Sequence, residues 1–500
     1  MKSFRLITNL GSTAVLAAAF VAANAQETAL PPAPSAVLAQ YGAGTAAGSG
    51  KTFHAPTTFD GPGKIPVERA TTDPLRLSID DAVSFGLTRN LRLVTDRANL
   101  KIVKGDELQV TNALVPSLSL YAATSTQEVN LAAMGFKASS LAAFGLPPDA
   151  IHTIVKVDVT QAQLKINQTL FNAPAYELLR GAKDESEVVN LNTLAGRGDL
   201  VVAVGTAYLK VLADQSALTN AQALERSAHT LFGQASEKLK AGVGASLDAL
   251  RGQVEYQNRE QQRISAENAL AKDIIQLNRI MGLPAEQQLI LTDTAPFAQL
   301  ADMDLDRAKT TAFQRRKDYL SVLAQMRVAD RERLAVKYQR LPTLSFGGFY
   351  GVIGETEGLY HGVFAATGSL KFPIFREAGQ RGDNEVITAQ LISLRQREAS
   401  LRVDIEAQIR SSMFDVTSAH DLVKVAESNV DLAQQELSDE RDRFNAGVDD
   451  NLPVVDAEAS LAGAQAQLVQ ALYQYNAAKL QLARNTGIVE SQYRTYLGTN

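Results

Sequence analysis

The chain has 500 residues, of which 45% are apolar and 21% charged, and its net charge is −5. A mildly acidic chain lacks the excess of positive charge that nucleic-acid binding requires, so we expect no nucleic-acid partner. The absence of cysteine excludes disulfides and cysteine-ligated metals, and the five scattered histidines predict no metal site.

The N-terminus has the three parts of a secretory signal peptide. Lys2 and Arg5 supply positive charge, an apolar run follows, and Ala23–Ala25 matches an A-x-A cleavage site. We therefore predict a signal peptide over residues 1–25 and export of the mature protein. The run is too short for a transmembrane anchor, and no other apolar run of about 18 residues occurs, so we expect no membrane-spanning helix.

Residues 26–74 are rich in proline, alanine, glycine and threonine, which predicts a linker without periodic structure. Within them, Gly50-Lys51-Thr52 resembles the end of a phosphate-binding loop, but Thr45 stands where the motif requires its first glycine. An enzymatic interpretation would rest on this incomplete motif alone, so we predict that the protein is not an enzyme.

The rest of the chain contains two copies of one pattern. Pro116 and Pro342 lie in matching motifs 226 residues apart, whereas Gly242 and Gly447 lie 205 residues apart. The first copy therefore holds 21 additional residues, which we place in a loop at about 122–152. The predicted parts are a first repeat (75–286), a linker (287–302), a second repeat (303–488) and a C-terminal tail (489–500).

Both copies predict the same order of elements. A helix of about 35 residues precedes two short strands, a very long helix follows, and a glycine turn leads to a last helix of about 35 residues. The long helices cover about 172–240 and 376–444, and the last helices end at Gly282 and Gly487. Glycine just past a helix is a common C-terminal stop.

The long helices carry a heptad repeat of large residues, with small residues three positions later. The large positions are Val204, Val211, Leu218, Glu225, Phe232 and Leu239 in the first copy, and Ile409, Val416, Val423, Val430, Leu437 and Phe444 in the second. This seam is typical of an antiparallel coiled coil. A helix of about 68 residues is about 100 Å long, which exceeds the size of a compact domain.

Short segments near the proline motifs alternate apolar and polar residues. The apolar positions are Leu118, Leu120, Val155, Val157 and Val159 in the first copy, and Leu370, Phe372 and Ile374 in the second. This alternation suits an outer-membrane barrel, and equally a soluble sheet packed on helices. Lipid admits no unpaired sheet edge, and the smallest single-chain barrels have eight strands. A membrane barrel built from four strands per chain must therefore pool strands from several copies.

From about Leu75 to Ile488 the chain resembles the TolC family of outer-membrane efflux proteins. The resemblance rests on the duplication, the strand entry "LPTLSF" at Leu341, the strand-to-helix junction Phe372–Arg381 and the two Ala-Gly turns. It implies a mainly α-helical fold with a small β part. Three copies would form a twelve-stranded barrel in the outer membrane, continued by an α-helical coiled-coil tunnel in the periplasm.

The same resemblance implies the exit channel of a tripartite efflux or secretion system, without a catalytic site or cofactor. The implied partners are two further copies of the chain, outer-membrane lipid, a periplasmic adaptor and an inner-membrane pump of the RND, ABC or MFS type. An exported coiled-coil scaffold without a channel is the alternative. It explains the heptads but leaves the duplicated strand pairs without a role.

By resemblance, the Ala-Gly turns are hairpin tips at the periplasmic end of the tunnel. Gly242, Val243, Gly447 and Val448 are the positions that the resemblance directs toward the adaptor.

The resemblance also implies a ring of carboxylates at the constriction. Asp456 matches the family position, and Asp449, Asp450 and Asp248 are further candidates. Helix capping by Asp450 and a first-turn interaction of Asp248 with the helix dipole are the competing interpretations. Asp449 stands where a basic residue can occur in the family, so the closing contacts are expected to differ.

Overall fold

A computed structural model describes residues 73–130, 133, 154–243, 245–293, 298–300, 303–355, 358–446 and 452–498. The predicted signal peptide and the sequence that resembles a phosphate-binding loop lie outside the described residues. The chain forms two compact units. The strand unit holds the described residues of Gly105–Lys183 and Ala329–Thr388, and the helical unit holds those of Ala46–Lys104, Asp184–Val328 and Ala389–Asn500.

The helices and strands repeat in the order that the sequence predicts. The first repeat contains β1 (Leu75–Leu77), α1 (Ile79–Arg89), α2 (Leu91–Asn112), β2 (Ser117–Asn130), β3 (Ile154–Phe171), α3 (Ala173–Lys240) and α4 (Ser246–Met281). A short strand, β4 (Leu289–Leu291), follows it and pairs in parallel with β1. The second repeat contains α5 (Leu305–Arg315), α6 (Lys317–Tyr338), β5 (Thr343–Glu355), β6 (Tyr360–Lys371), α7 (Glu377–Asn445) and α8 (Leu452–Asn485). A last helix is α9 (Val489–Leu497).

The sequence predicts one helix before each strand pair. This prediction is wrong, because each of the two segments forms two helices. Backbone ψ angles of 126° at Asn90 and 119° at Arg316 interrupt the helical conformation. Asn90 Nδ2 donates to the carbonyl of Ile280 at 2.8 Å, and Arg316 Nη1 donates to the carbonyl of Asn485 at 3.3 Å. Each break thus ties the start of a repeat to its last helix, and tertiary contact outweighs local helix propensity.

Three helices end in the same hydrogen-bonded turn. Gly242 follows α3 with a φ of 75°, and its N–H and that of Val243 donate to carbonyls of the last helical turn at 3.0 Å. Gly282 and Gly487 end α4 and α8 in the same way, with φ of 75° and 76°. A left-handed residue favours glycine, so the predicted stops at these three positions are confirmed. Gly447 lies outside the described residues.

The strand unit contains one antiparallel sheet in the order β2-β3-β5-β6. The connection from β2 to β3 is much longer than that from β5 to β6, so the predicted insertion lies between β2 and β3. The predicted start of this loop at about residue 122 is wrong, because β2 extends to Asn130. β6 ends at Lys371, so the prediction that Phe372 and Ile374 continue the strand is wrong. Pro373 stands between them and has no N–H to donate to a ladder.

Several of the predicted heptad positions lie in the core of the helical unit, whereas Leu239, near the hairpin tip, is exposed. Val204, Val211, Ile409 and Val423 are fully buried. α9 adds Leu497 to the largest core cluster, so residues 489–500, predicted as a tail, include a packed helix. Within the described ranges, no helix combines the length and apolar character needed to cross a membrane.

Candidate functional site

One face of the sheet, here called the apolar face, is hydrophobic and exposed. Leu120, Leu164, Tyr350 and Phe364 form one row across all four strands, and every side chain of this row is exposed. Large exposed apolar patches mark surfaces that meet another protein or a membrane.

The height of the apolar face is close to that of a membrane-barrel band. Along β5 it extends from Leu344 to Val352. These eight steps span about 27 Å along the strand, or about 21 Å at the tilt of about 40° that barrel strands adopt. An outer-membrane barrel needs about 25 Å. The charged side chains on the described part of this face, Glu128, Lys156 and Asp158, all lie beyond the band.

The opposite face, here called the polar face, carries hydrophilic side chains in the middle of the sheet. Gln163 Nε2 donates to Gln161 Oε1 at 2.7 Å, and Lys165 Nζ lies 3.8 Å from the centroid of the Tyr121 ring. The valines predicted at 155, 157 and 159 alternate as expected but share this face with the glutamines. The apolar character therefore changes faces along β3, beyond the height of the apolar band.

The first helix hairpin, α3 with α4, exposes its tip. Val243 is 80% exposed, and a Cβ built at Gly242 would meet no described atom within 4 Å. Asp248 is exposed in the first turn of α4, where a carboxylate also favours the positive end of the helix dipole.

The second hairpin is α7 with α8. Asp456 is exposed near the start of α8, past its first turn. Gly447, Val448, Asp449 and Asp450 lie outside the described residues.

Glu458, which the sequence analysis does not single out, joins the two hairpins two residues after Asp456. Its carboxylate accepts hydrogen bonds from Ser227 Oγ of α3 at 2.7 Å and from Arg441 Nη2 of α7 at 2.8 Å. Only 11% of the Glu458 side chain is exposed. One shielded carboxylate therefore connects the first hairpin with both helices of the second, a cluster we call the hairpin clasp.

Side-chain contacts arrange four helices of the helical unit in the order α4, α3, α8, α7. Glu225 of α3 pairs with Arg263 of α4 at 2.9 Å. A Cβ at Gly205 of α3 would lie 2.7 Å from Leu480 of α8, so these helices touch closely. The hairpin clasp joins α8 to α7. Glu225 is the polar exception in the predicted heptad, and the exception marks an ion pair between helices.

The outer helices of this order, α4 and α7, expose apolar side chains along their length. On α7 four of them recur every eleven residues, at Ile392, Val403, Phe414 and Val425, and Phe414 is 73% exposed. Eleven residues at about 100° each return to nearly the same direction, so these side chains form one stripe. Val386, Leu422 and Leu432 are also exposed but lie outside this spacing. The exposed apolar residues of α4 are Leu247, Leu250, Val254, Ile264 and Ile275.

The helical unit also buries a lysine. Lys479 is fully buried, its Nζ donates to the carbonyl of Ala298 at 3.0 Å, and it lies 4.5 Å from the centroid of the Tyr475 ring. Burial lowers the pKa of Lys479 to about 8. Across the described part of the chain, no group of three or more acidic, histidine or cysteine side chains could hold a metal ion.

Comparisons with known proteins agree with this architecture. The family model described as "Outer membrane efflux protein" matches residues 87–283 and 309–488, one match in each repeat. Alkaline protease secretion protein AprF of Pseudomonas aeruginosa is 24% identical over 347 residues, which cover 65% of this chain and 69% of that protein. Outer membrane protein TolC of Escherichia coli is 20% identical over 366 residues, or 68% and 71% of the two chains.

A solved structure shares the fold. The Campylobacter jejuni CmeC outer membrane channel superposes with a TM-score of 0.70 at 12% identity, over 82% of this chain and 86% of that chain. The two family matches and this superposition confirm the predicted duplication and the predicted fold of helices with a small sheet.

Proposed function

Because this chain belongs to the outer membrane efflux protein family, a family of channels in the cell outer membrane, we infer that it forms the exit channel of a tripartite efflux or secretion system. Cargo would pass from an inner-membrane pump and a periplasmic adaptor to the exterior. The observation that carries the proposal is an exposed apolar sheet face of bilayer height whose four strands cannot close alone.

Three copies of the chain provide the closure. Along β2-β3-β5-β6 the strand direction alternates, so β6 of one copy can pair antiparallel with β2 of the next without breaking the alternation. Three copies give twelve strands, above the minimum of eight. The apolar stripe of α7 in one copy would cover the exposed apolar side chains of α4 in the next. Such a head-to-tail contact closes into a ring of three when each copy is rotated by about 120° from the last.

The hairpin tips form the gate of the proposed channel. Copies of Asp456, with Asp449, Asp450 and Asp248 as further candidates, would converge at the aperture, where like charges repel and favour cations. The exposed Gly242 and Val243 support the proposal that the first tip meets the adaptor.

The second tip, with Gly447 and Val448, is proposed to meet the adaptor as well. The proposal covers a pump of the RND, ABC or MFS type. The name of AprF makes protein cargo one class to test, alongside small molecules and metals.

Reconstitution of the mature protein into planar bilayers tests this function. We expect heat-modifiable trimers extracted with detergent and discrete single-channel conductance. A water-soluble monomer that does not conduct would refute the channel and favour the exported coiled-coil scaffold.

A further inference from the structure

Lys165 carries a positive charge at the middle of the polar face. Its cross-strand neighbours are Ser119 and Phe349, and its Nζ lies over the Tyr121 ring at 3.8 Å. A cation is attracted to the face of an aromatic ring, and this contact keeps the ammonium group at the sheet surface without neutralising its charge.

No carboxylate of the described polar face lies near Lys165. The nearest along the sheet is Glu355, which pairs with Val159, six residues along β3 from Lys165. Six residues of strand span about 20 Å, which is twice the Debye length of about 10 Å at 0.1 M salt. In the other direction, Lys371 adds a second positive charge at the end of the sheet. The middle of the polar face is therefore electropositive.

We propose that Lys165 forms a cationic ring inside the barrel, where it binds anionic groups of cargo, such as carboxylates, as they leave the channel. The inference rests on the proposed function, because the polar face lines the lumen only if three copies close a barrel. The ring has the opposite sign to the carboxylates proposed at the hairpin tips.

The barrel dimensions make the ring effective at low salt. Twelve strands spaced about 4.8 Å apart and tilted about 40° close a barrel with a radius of about 12 Å. An ion on the axis then lies about 10 Å from each of three ammonium groups. For a trivalent anion at 0.1 M salt, screened Coulomb attraction of this size strengthens binding about tenfold. At 1 M salt the Debye length is about 3 Å, and the attraction disappears.

Citrate block of the potassium current tests the ring. Citrate is added on the side of the bilayer that corresponds to the cell exterior. In 0.1 M KCl we expect Lys165→Gln to raise the half-blocking citrate concentration about tenfold, and we expect 1 M KCl to abolish the difference. The matched control is Lys156→Gln. It removes one positive charge from the same strand, but from the apolar side, where Lys156 already pairs with Asp158 at 3.4 Å. The control should leave block unchanged.

A single introduced cysteine at position 165 distinguishes the effect of lost charge from the effect of lost folding. The chain contains no cysteine, so Lys165→Cys can be modified in the assembled channel. A cationic methanethiosulfonate reagent should restore citrate block, and an anionic one should not. Equal block before and after the cationic reagent, or equal loss of block in the Lys156→Gln control, would overturn the ring. A wild-type protein that never conducts would instead refute the proposed channel itself.

Discussion

Loss of charge at Glu458 should release the hairpin clasp. In Glu458→Gln, the shielded carboxylate no longer receives charge-assisted hydrogen bonds from Ser227 and Arg441. A hydrogen bond to a charged group contributes about 1.5–3 kcal/mol when shielded. The Arg441 side chain is 53% exposed, so solvent screening reduces its share to a few tenths of a kcal/mol. The amide of the variant still accepts a neutral hydrogen bond worth about 1 kcal/mol. We propose that the described arrangement of the hairpins is the closed one, and we expect it to lose about 1.5 kcal/mol per copy.

This loss corresponds to an increase of about tenfold in the ratio of open to closed channels for each clasp. Single-channel recordings of occupancy of the high-conductance state measure it directly. Asp431→Asn, an exposed carboxylate on α7, is the matched control and should leave occupancy unchanged. A double-mutant cycle with Ser227→Ala should give a coupling energy of about 1 kcal/mol. An unchanged occupancy, or a coupling energy near zero, would refute the assignment of Glu458 to closure.

Three other outcomes follow from the described contacts. Phe414→Glu should place a charge in the apolar stripe of α7 and reduce the trimer to monomers in size-exclusion chromatography with light scattering. The control Phe414→Leu should remain trimeric. If Phe414→Glu is also trimeric, the stripe does not form the interface between copies. Asp456→Asn should weaken block by multivalent cations added at the tip side, and unchanged block would remove Asp456 from the aperture. The pKa of Lys479 is about 8 in the folded protein, against 10.5 in the unfolded chain. Between these pH values the unfolded state binds more protons than the folded state, so the free energy of unfolding should rise with pH across that window. Lys479→Met should abolish this rise in denaturant titrations and raise the free energy of unfolding at pH 7 by about 2–3 kcal/mol; a pH dependence that persists in the variant would contradict the assignment.

Patterns that repeat along the chain predicted much of the fold. The heptad positions Val204 and Ile409 are buried, and the glycine stops at Gly282 and Gly487 have the left-handed conformation that ends a helix. These features depend on local spacing, which the sequence displays directly.

Contacts between distant residues were not predictable. The breaks at Asn90 and Arg316 depend on carbonyl partners 190 and 169 residues away. Glu458 joins the two hairpins through Ser227, which is 231 residues distant. A single sequence contains no signal for such pairs, because neither residue type nor spacing distinguishes them. Glu225 interrupts the heptad of large apolar residues, and the structure shows that it pairs with Arg263 of α4.

The two periodicities of α7 have a mechanical consequence. Its buried side, toward α8, repeats every seven residues, whereas its exposed stripe repeats every eleven. At about 100° per residue, a seven-residue repeat drifts by about 20° in one sense and an eleven-residue repeat by about 20° in the other. The first favours left-handed winding around α8, and the second favours a slight right-handed course along a neighbour. One helix cannot follow both repeats along its whole length, so its course is a compromise between two opposite windings.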